Sequence, residues 1–405
     1  MNKKAFVSLC LAIFTAMLGL GIISPLMGLY ANSMPGANGF LLGFMYSGFS
    51  LTRTIVLPVA GWFSDMKGRK ILMVIGLAGY ALISLLYVAA GNIYQLILVR
   101  MLHGVCSSMV VPIAQAYVGE LIPEGKEGTY MNIYSMIMFL GMGVGPLLGG
   151  TLSDIFEVNT VFYVMGGFAA AALVLLIVTV PNLAPQTKYS EMKSPSIRLM
   201  LKDNRMKVTS LFMASRGIMR QSINAFLPIF AVTMLGMSRS TIGAVLTAFM
   251  LCEAFSGGLA GPMSDRMNKK VLMMIGAVMA PLLVFMLPSR TGVVSILLVL
   301  IPLAIVGGVG RAPAMAYNVQ AGRHFGRMGA SMGLVNTAMA VGNFFGPMAS
   351  GYIMDNWGVG QIYYFGGTVG IIAAVFIGYW LFKREDKVVE AAILSVKKEA
   401  TGPKD

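Results

Sequence analysis

Gly61 to Lys70 reads GWFSDMKGRK, and Gly261 to Lys270 reads GPMSDRMNKK in the corresponding place of the second half of the chain. Each string lies between two apolar runs and passes from a glycine through Ser-Asp into a basic cluster. That is the pattern of a glycine-packed helix end leading into a charged turn. Other landmarks repeat at a near-constant offset: Pro112 and Pro313, Gly128 and Gly329, Gly145-Pro146 and Gly346-Pro347, Gly150 and Gly351, Asp154 and Asp355. Chance does not align so many, so the chain reads as a duplication. The second decapeptide is degraded, with Asn268 in place of Gly68 and an added Arg266.

Of 405 residues, 57% are hydrophobic and 11% charged. The apolar residues come in runs of about twenty, the length a helix needs to cross hydrocarbon. Spans are predicted over 5–30, 39–62, 71–90, 93–119, 129–152 and 160–180, then 208–235, 240–262, 271–288, 292–317, 329–352 and 361–382. The expected fold is an all-α membrane protein of twelve transmembrane helices in two pseudo-symmetric six-helix bundles. Its expected parts are an N-terminal bundle at 1–182, a cytoplasmic linker at 183–207, a C-terminal bundle at 208–383 and a tail at 384–405. In the linker, Ile197, Met200 and Leu201 lie opposite Arg198, Lys202 and Arg205, which suits a short helix on the anionic inner leaflet; a solvated loop is the alternative. The basic start at Lys3-Lys4 runs to Tyr30 without a small-x-small cleavage site, so it reads as a retained first span.

A net charge of +14 would point to nucleic acid in a soluble chain. Here the Lys and Arg residues gather in alternate loops, the linker and the tail, whereas the opposite loops hold only Arg239 and Arg290. This is the positive-inside bias; it places both termini in the cytoplasm and implies no nucleic-acid partner. Cys10, Cys106 and Cys252 fall within apolar runs as small hydrophobes, and no disulfide is expected.

The first decapeptide resembles the loop between the second and third helices of the major facilitator superfamily, with Gly61, Asp65, Gly68, Arg69 and Lys70 at matching positions. Leu18-Gly19-x-Gly21-Ile-Ile-x-Pro25, Arg100-x-x-His103-Gly104 and the GPxxGG run at Gly145–Gly150 resemble motifs of its 12-spanning drug:proton antiporter branch, with His103 replacing a more usual Gln. The resemblance extends over 5–382. It implies parallel six-helix repeats with substrate between them near the midplane. It also implies a cavity lined by spans one, four, seven and ten, and a cytoplasmic latch between the halves at Gly61, Asp65, Gly68 and Arg69, weaker in the second copy at Asp265. Arg100, with His103 beside it, would take part in proton coupling by acting on a nearby carboxylate.

The residues support related readings on their own. Asp65 and Arg69 are spaced to pair on a helical turn, although a plain topology anchor is the alternative for this loop. Gly141, Gly145, Pro146, Gly149 and Gly150 leave a flat groove that admits another helix, whether as a functional motif or as generic packing. Arg216, Arg220 and Asn224 form a stripe at spacing four in the seventh span; Arg100, His103, Ser107 and Gln115 lie along the fourth, and Arg311 and Asn318 along the tenth. Ionisable residues inside a membrane mark a pathway, though each alone can be an inter-helix bond. Arg53 and Glu253 occupy equivalent places in the two halves, eight residues before the repeated glycine and so roughly 12 Å inside the membrane boundary. Glu253 is the one carboxylate read as deep in a span. A carboxylate alternately buried and hydrated can carry a proton; a permanent ion pair is the competing reading. Thirty-four methionines would suit an adaptable cavity wall.

The sequence therefore points to a secondary active transporter, expected to be a proton-coupled exporter of small amphiphilic or drug-like compounds by alternating access. The alternatives are a transporter of an anionic organic metabolite, given five intramembrane arginines, and a non-transporting membrane sensor. An enzyme is not expected: the histidines are His103 and His324, with no metal-ligand cluster and no phosphate-binding glycine loop. The expected partners are a small-molecule substrate, protons and the lipid bilayer, with no cofactor. The expected form is a monomer in the plasma (cell inner) membrane.

Overall fold

The computed structural model describes residues 3–121, 127–182, 200–324 and 328–382, and every regular element in them is helical. The first span is split into Lys3–Ile23 and Met27–Asn32, where an unbroken helix was expected. Pro25 has no N–H and its ring excludes the usual carbonyl partner, so tighter turns replace the α ladder: Ser24 N donates to Gly21 O at 3.0 Å and Leu26 N to Ile23 O at 3.1 Å. The other spans are Gly39–Lys67, Arg69–Ala89, Ile93–Leu121, Glu127–Ile155 and Val158–Thr179, then Asn204–Leu235, Arg239–Arg266, Lys269–Phe285, Val293–His324, Met328–Trp357 and Gln361–Phe382. Eleven stretches are long and apolar enough to cross a membrane. Met328–Trp357, diluted by Gly, Ser and Asn, is not among them but packs inside the bundle.

The duplication is visible in the packing. In the first half, span one lies against five and six, two against four, and three against four and six. The second half repeats this with seven against eleven and twelve, eight against ten, and nine against ten and twelve. The halves meet mainly through two related pairs, two with eleven and five with eight, and more lightly where Met27–Asn32 of span one touches span seven. Lipid tails are as apolar as the side chains, so close backbone approach and inter-helix hydrogen bonds must hold such pairs. A Cβ on Gly141 would stand 2.6 Å from Phe14 O, one on Gly145 would stand 2.5 Å from Gly21 Cα, and one on Gly149 would strike the Ile22 carbonyl. The glycine face of span five thus receives span one. Gly150 points the other way, against the Arg239 carbonyl of the second half.

The decapeptide ends span two and starts span three through Gly68, whose φ of 94° is a conformation that side-chain-bearing residues rarely adopt. Asn268 has φ −64° and instead caps the ninth span, its side chain accepting from Lys270 N at 3.0 Å. The degraded copy therefore makes a different turn. The side chain of Asp265, residues 183–199 of the expected linker and the tail beyond 382 lie outside the described residues. Met200, expected on a lipid-facing linker surface, is buried in the second half beside Met206, Phe212 and Met273.

Candidate functional site: a cavity beside a buried charge cluster

A cavity of about 550 Å³ is walled by Ser135, Met136, Phe139 and Met142 of span five, Arg220 of seven, Met250, Glu253 and Phe255 of eight, and Arg311 and Met315 of ten. The expected walls were spans one, four, seven and ten. Spans five and eight occupy that role beside seven and ten because they form one of the two inter-half pairs. Arg220 and Arg311 line the cavity; Arg53, Arg216, Asn224 and Gln115, read from sequence as cavity residues, are not among its lining residues. Gln115 is exposed, off the buried face that holds Arg100, His103 and Ser107.

Glu253 is only 8% exposed and is not alone. Its Oε1 accepts from Arg216 Nη2, and its Oε2 lies 3.2 Å from Arg220 Nη2. Arg216 and Arg220 are one turn apart on span seven, so both guanidiniums converge on one carboxylate of span eight. Arg216 Nη1 also donates to Gly307 O at 2.8 Å on span ten. Gly307 makes room for this, since a Cβ there would stand 2.6 Å from Arg216 Nη1. Arg311 makes no hydrogen bond or ion pair among the described residues, leaving one cation at the cavity wall beside a clamped carboxylate. Of the two readings of Glu253, the ion pair is the one present here: the spacing of the arginines delivers two partners. Arg53, its equivalent, lies in the other half.

In the first half, Arg100 is 8% exposed and its guanidinium lies 5.3 Å from the Tyr46 ring centroid and 5.5 Å from that of Phe49. No carboxylate within ion-pair distance of Arg100 is found among the described residues, so the expected carboxylate partner is replaced by aromatic faces. His103 is fully buried; its Nδ1 shares a hydrogen bond of 2.7 Å with Tyr87 Oη, and Tyr80 and Phe49 meet its ring edge-on.

The decapeptide is engaged within its own half. Arg69 lies 3.2 Å from Asp65 and 2.5 Å from Glu120 at the end of span four. A Cβ on Gly61 would meet no atom within 4 Å, and Trp62, Phe63 and Met66 are exposed. At the opposite end the halves are joined. Asp355 Oδ1 accepts from Gly39 N at 2.6 Å and its Oδ2 from Phe40 N at 2.9 Å, while Asp154 Oδ2 accepts from Ser240 N at 2.8 Å. These two carboxylates are visible in the sequence as a repeated pair, but their inter-half partners carry no sequence signal.

A sequence model described as Major Facilitator Superfamily matches residues 9–233 and 208–400. The chain belongs to the Major Facilitator Superfamily. Among its relatives, the uncharacterized MFS-type transporter MJ1560 of Methanocaldococcus jannaschii is 25% identical over 390 residues, covering 95% of this chain and 99% of the relative. Multidrug resistance protein MdtG of Proteus mirabilis is 26% identical, covering 90% and 92%. Multidrug resistance protein 1 of Bacillus subtilis is 24% identical, covering 85% and 88%. Among solved structures, a bacterial homolog of the human lysosomal transporter Spinster, inward-facing and occupied, superposes with TM-score 0.79 at 16% identity over 94% of this chain and 97% of that one. This is therefore an integral membrane protein of a transporter superfamily, resembling its drug:proton antiporter branch.

Proposed function

We propose that this Major Facilitator Superfamily protein is a proton-coupled exporter of small amphiphilic, drug-like compounds in the plasma (cell inner) membrane, working by alternating access as a monomer with both termini cytoplasmic. The observation that carries the reading is the cavity between the halves, with Met and Phe walls and a carboxylate clamped by two arginines. Flexible thioethers and aromatic rings accept varied apolar shapes, and charged groups at one side orient them. A proton on Glu253 would cancel the charge that ties spans seven and eight through Arg216 and Arg220, so its arrival and departure can bias two arrangements of the helices around the cavity. The multidrug resistance names of two relatives support the substrate class. The halves are taken as 1–182 and 208–383, joined by 183–207. Asp65, Gly68 and Arg69 would re-engage the other half when the opposite end opens, with Asp265 a weaker counterpart.

A second reading, an anionic organic cargo, is favoured by one observation: Arg311 stands at the wall near Glu253 with no hydrogen bond or close ion pair of its own among the described residues. Flux of matched neutral, acidic and cationic amphiphiles in proteoliposomes, with and without an imposed pH gradient, separates the two. Gradient-driven movement of neutral and cationic compounds is expected. Movement of acids alone would give the second reading, and no movement of any would refute both.

A further inference from the structure

We infer that Asp154 and Asp355 are a two-part gate that seals one end of the bundle, each capping a helix N-terminus that belongs to the other half. A helix leaves its first N–H groups without internal partners, and these attract a carboxylate. Span two satisfies Leu41 N with its own Asn38 side chain at 2.8 Å, but Gly39 N and Phe40 N go to Asp355. Span eight follows the same plan: Ser238 takes Thr241 N at 3.2 Å, and Asp154 of the first half takes Ser240 N. Arg239 adds a bond from its Nη1 to Ser153 O at 3.2 Å.

The capped ends sit where the halves approach most closely. Cβ atoms on Gly351 and Gly150 would strike the carbonyls of Gly39 and Arg239, and those on Gly43 and Gly243 would strike the carbonyls of Pro347 and Pro146. Between these contacts Ser47 Oγ donates to Phe344 O, and its equivalent Thr247 Oγ1 accepts from Leu147 N at 3.1 Å. Opening this end must pull both carboxylates off both helix termini together. Because each acid and its target amides lie on opposite halves, the caps add nothing to either half alone and act only on the equilibrium between closed and open. Asp154 and Asp355 are thus positioning residues for the conformational step. The inference rests on the alternating-access reading.

The test is a distance measurement between spin labels on Tyr94→Cys and Val294→Cys, exposed and related positions on the two halves at this end, in a chain freed of its three native cysteines. Losing a cap acceptor typically shifts a two-state ratio about fivefold. Asp154→Ala and Asp355→Ala should each raise the open-to-closed ratio by at least that factor, and the double variant by their product, about 25-fold or more. An open state of about 1% would then become visible as a longer distance. Ser240→Pro removes the donor of the same bond and leaves the carboxylate, since proline is tolerated in a first helical turn. It should shift the ratio in the same direction, by no more than Asp154→Ala, and add nothing to it, an outcome that general damage to the fold would not give. An unchanged distance distribution in a double variant that still transports overturns the gate while leaving transport intact. Additive effects of Ser240→Pro and Asp154→Ala overturn the assigned bond. A wild-type protein that transports no amphiphile, together with a double variant that shows no second distance, overturns alternating access itself, and the gate with it.

Discussion

Glu253→Gln separates a movable clamp from a packing contact. The substitution keeps the shape but removes the charge that Arg216 and Arg220 share. Side-chain exposures are 8% for Glu253, 15% for Arg216 and 35% for Arg220. Removing one member of a buried pair costs about 3–5 kcal/mol because the other charge is left without compensation. That figure applies to Arg216; the more exposed Arg220 is screened and adds less than about 1 kcal/mol. The amide oxygen of the introduced glutamine still accepts from Arg216, which recovers about 1 kcal/mol. A net loss of about 2–4 kcal/mol is expected, read as a fall of about 2–5 °C in the unfolding temperature of the purified protein. Arg216→Gln should cost less in the Glu253→Gln background than in the wild type, with a coupling of about 2 kcal/mol. In proteoliposomes the Glu253→Gln protein should move substrate down its own gradient but gain nothing from an imposed pH gradient. An unchanged unfolding temperature together with gradient-driven flux would refute both the clamp and its coupling role.

Asp65→Asn should leave insertion and stability nearly unchanged, within about 1 kcal/mol, because Asp65 is 45% exposed and Arg69 keeps Glu120; it should slow flux, and normal flux would remove the latch role. Glu120→Gln should destabilise more, by about 1–3 kcal/mol in a thermal melt, since it takes away the closer and less exposed partner of Arg69. Gly145→Leu should cut folded yield and flux, because even its Cβ would stand 2.5 Å from Gly21 Cα and span one must be pushed away; full yield would show that the two helices can part without cost. Arg311→Ala should weaken binding of an acid about tenfold more than that of its matched amide, about 1.4 kcal/mol, measured by thermal stabilisation; equal losses would make Arg311 structural.

The twelve spans, their duplication and the glycine face of span five were legible because each is local or periodic. Hydrocarbon demands a long apolar run, a repeat is visible as an offset, and a flat helix face needs only a spacing of four. The stripe of Arg216 and Arg220 was legible for the same reason. What the stripe faced was not, because the partner depends on which helix lies alongside. Span eight carries Glu253 to it, and Gly307 on span ten leaves room for Arg216.

The break at Pro25 was signalled by the proline but hidden by the unbroken apolar composition around it. The aromatic surroundings of Arg100 had no sequence signal, since Tyr46 and Phe49 come from span two, where aromatic residues are common. By itself the sequence determined how many times the chain crosses the membrane, that its halves repeat and which residues carry charge into the interior, all properties of consecutive residues in a uniform solvent. Only the tertiary structure decided that spans five and eight wall the cavity, that Glu253 is held by two arginines, and that Asp154 and Asp355 cap helices of the opposite half. Those are contacts between residues far apart in the chain, and they are fixed by which helix faces can approach closely enough to touch.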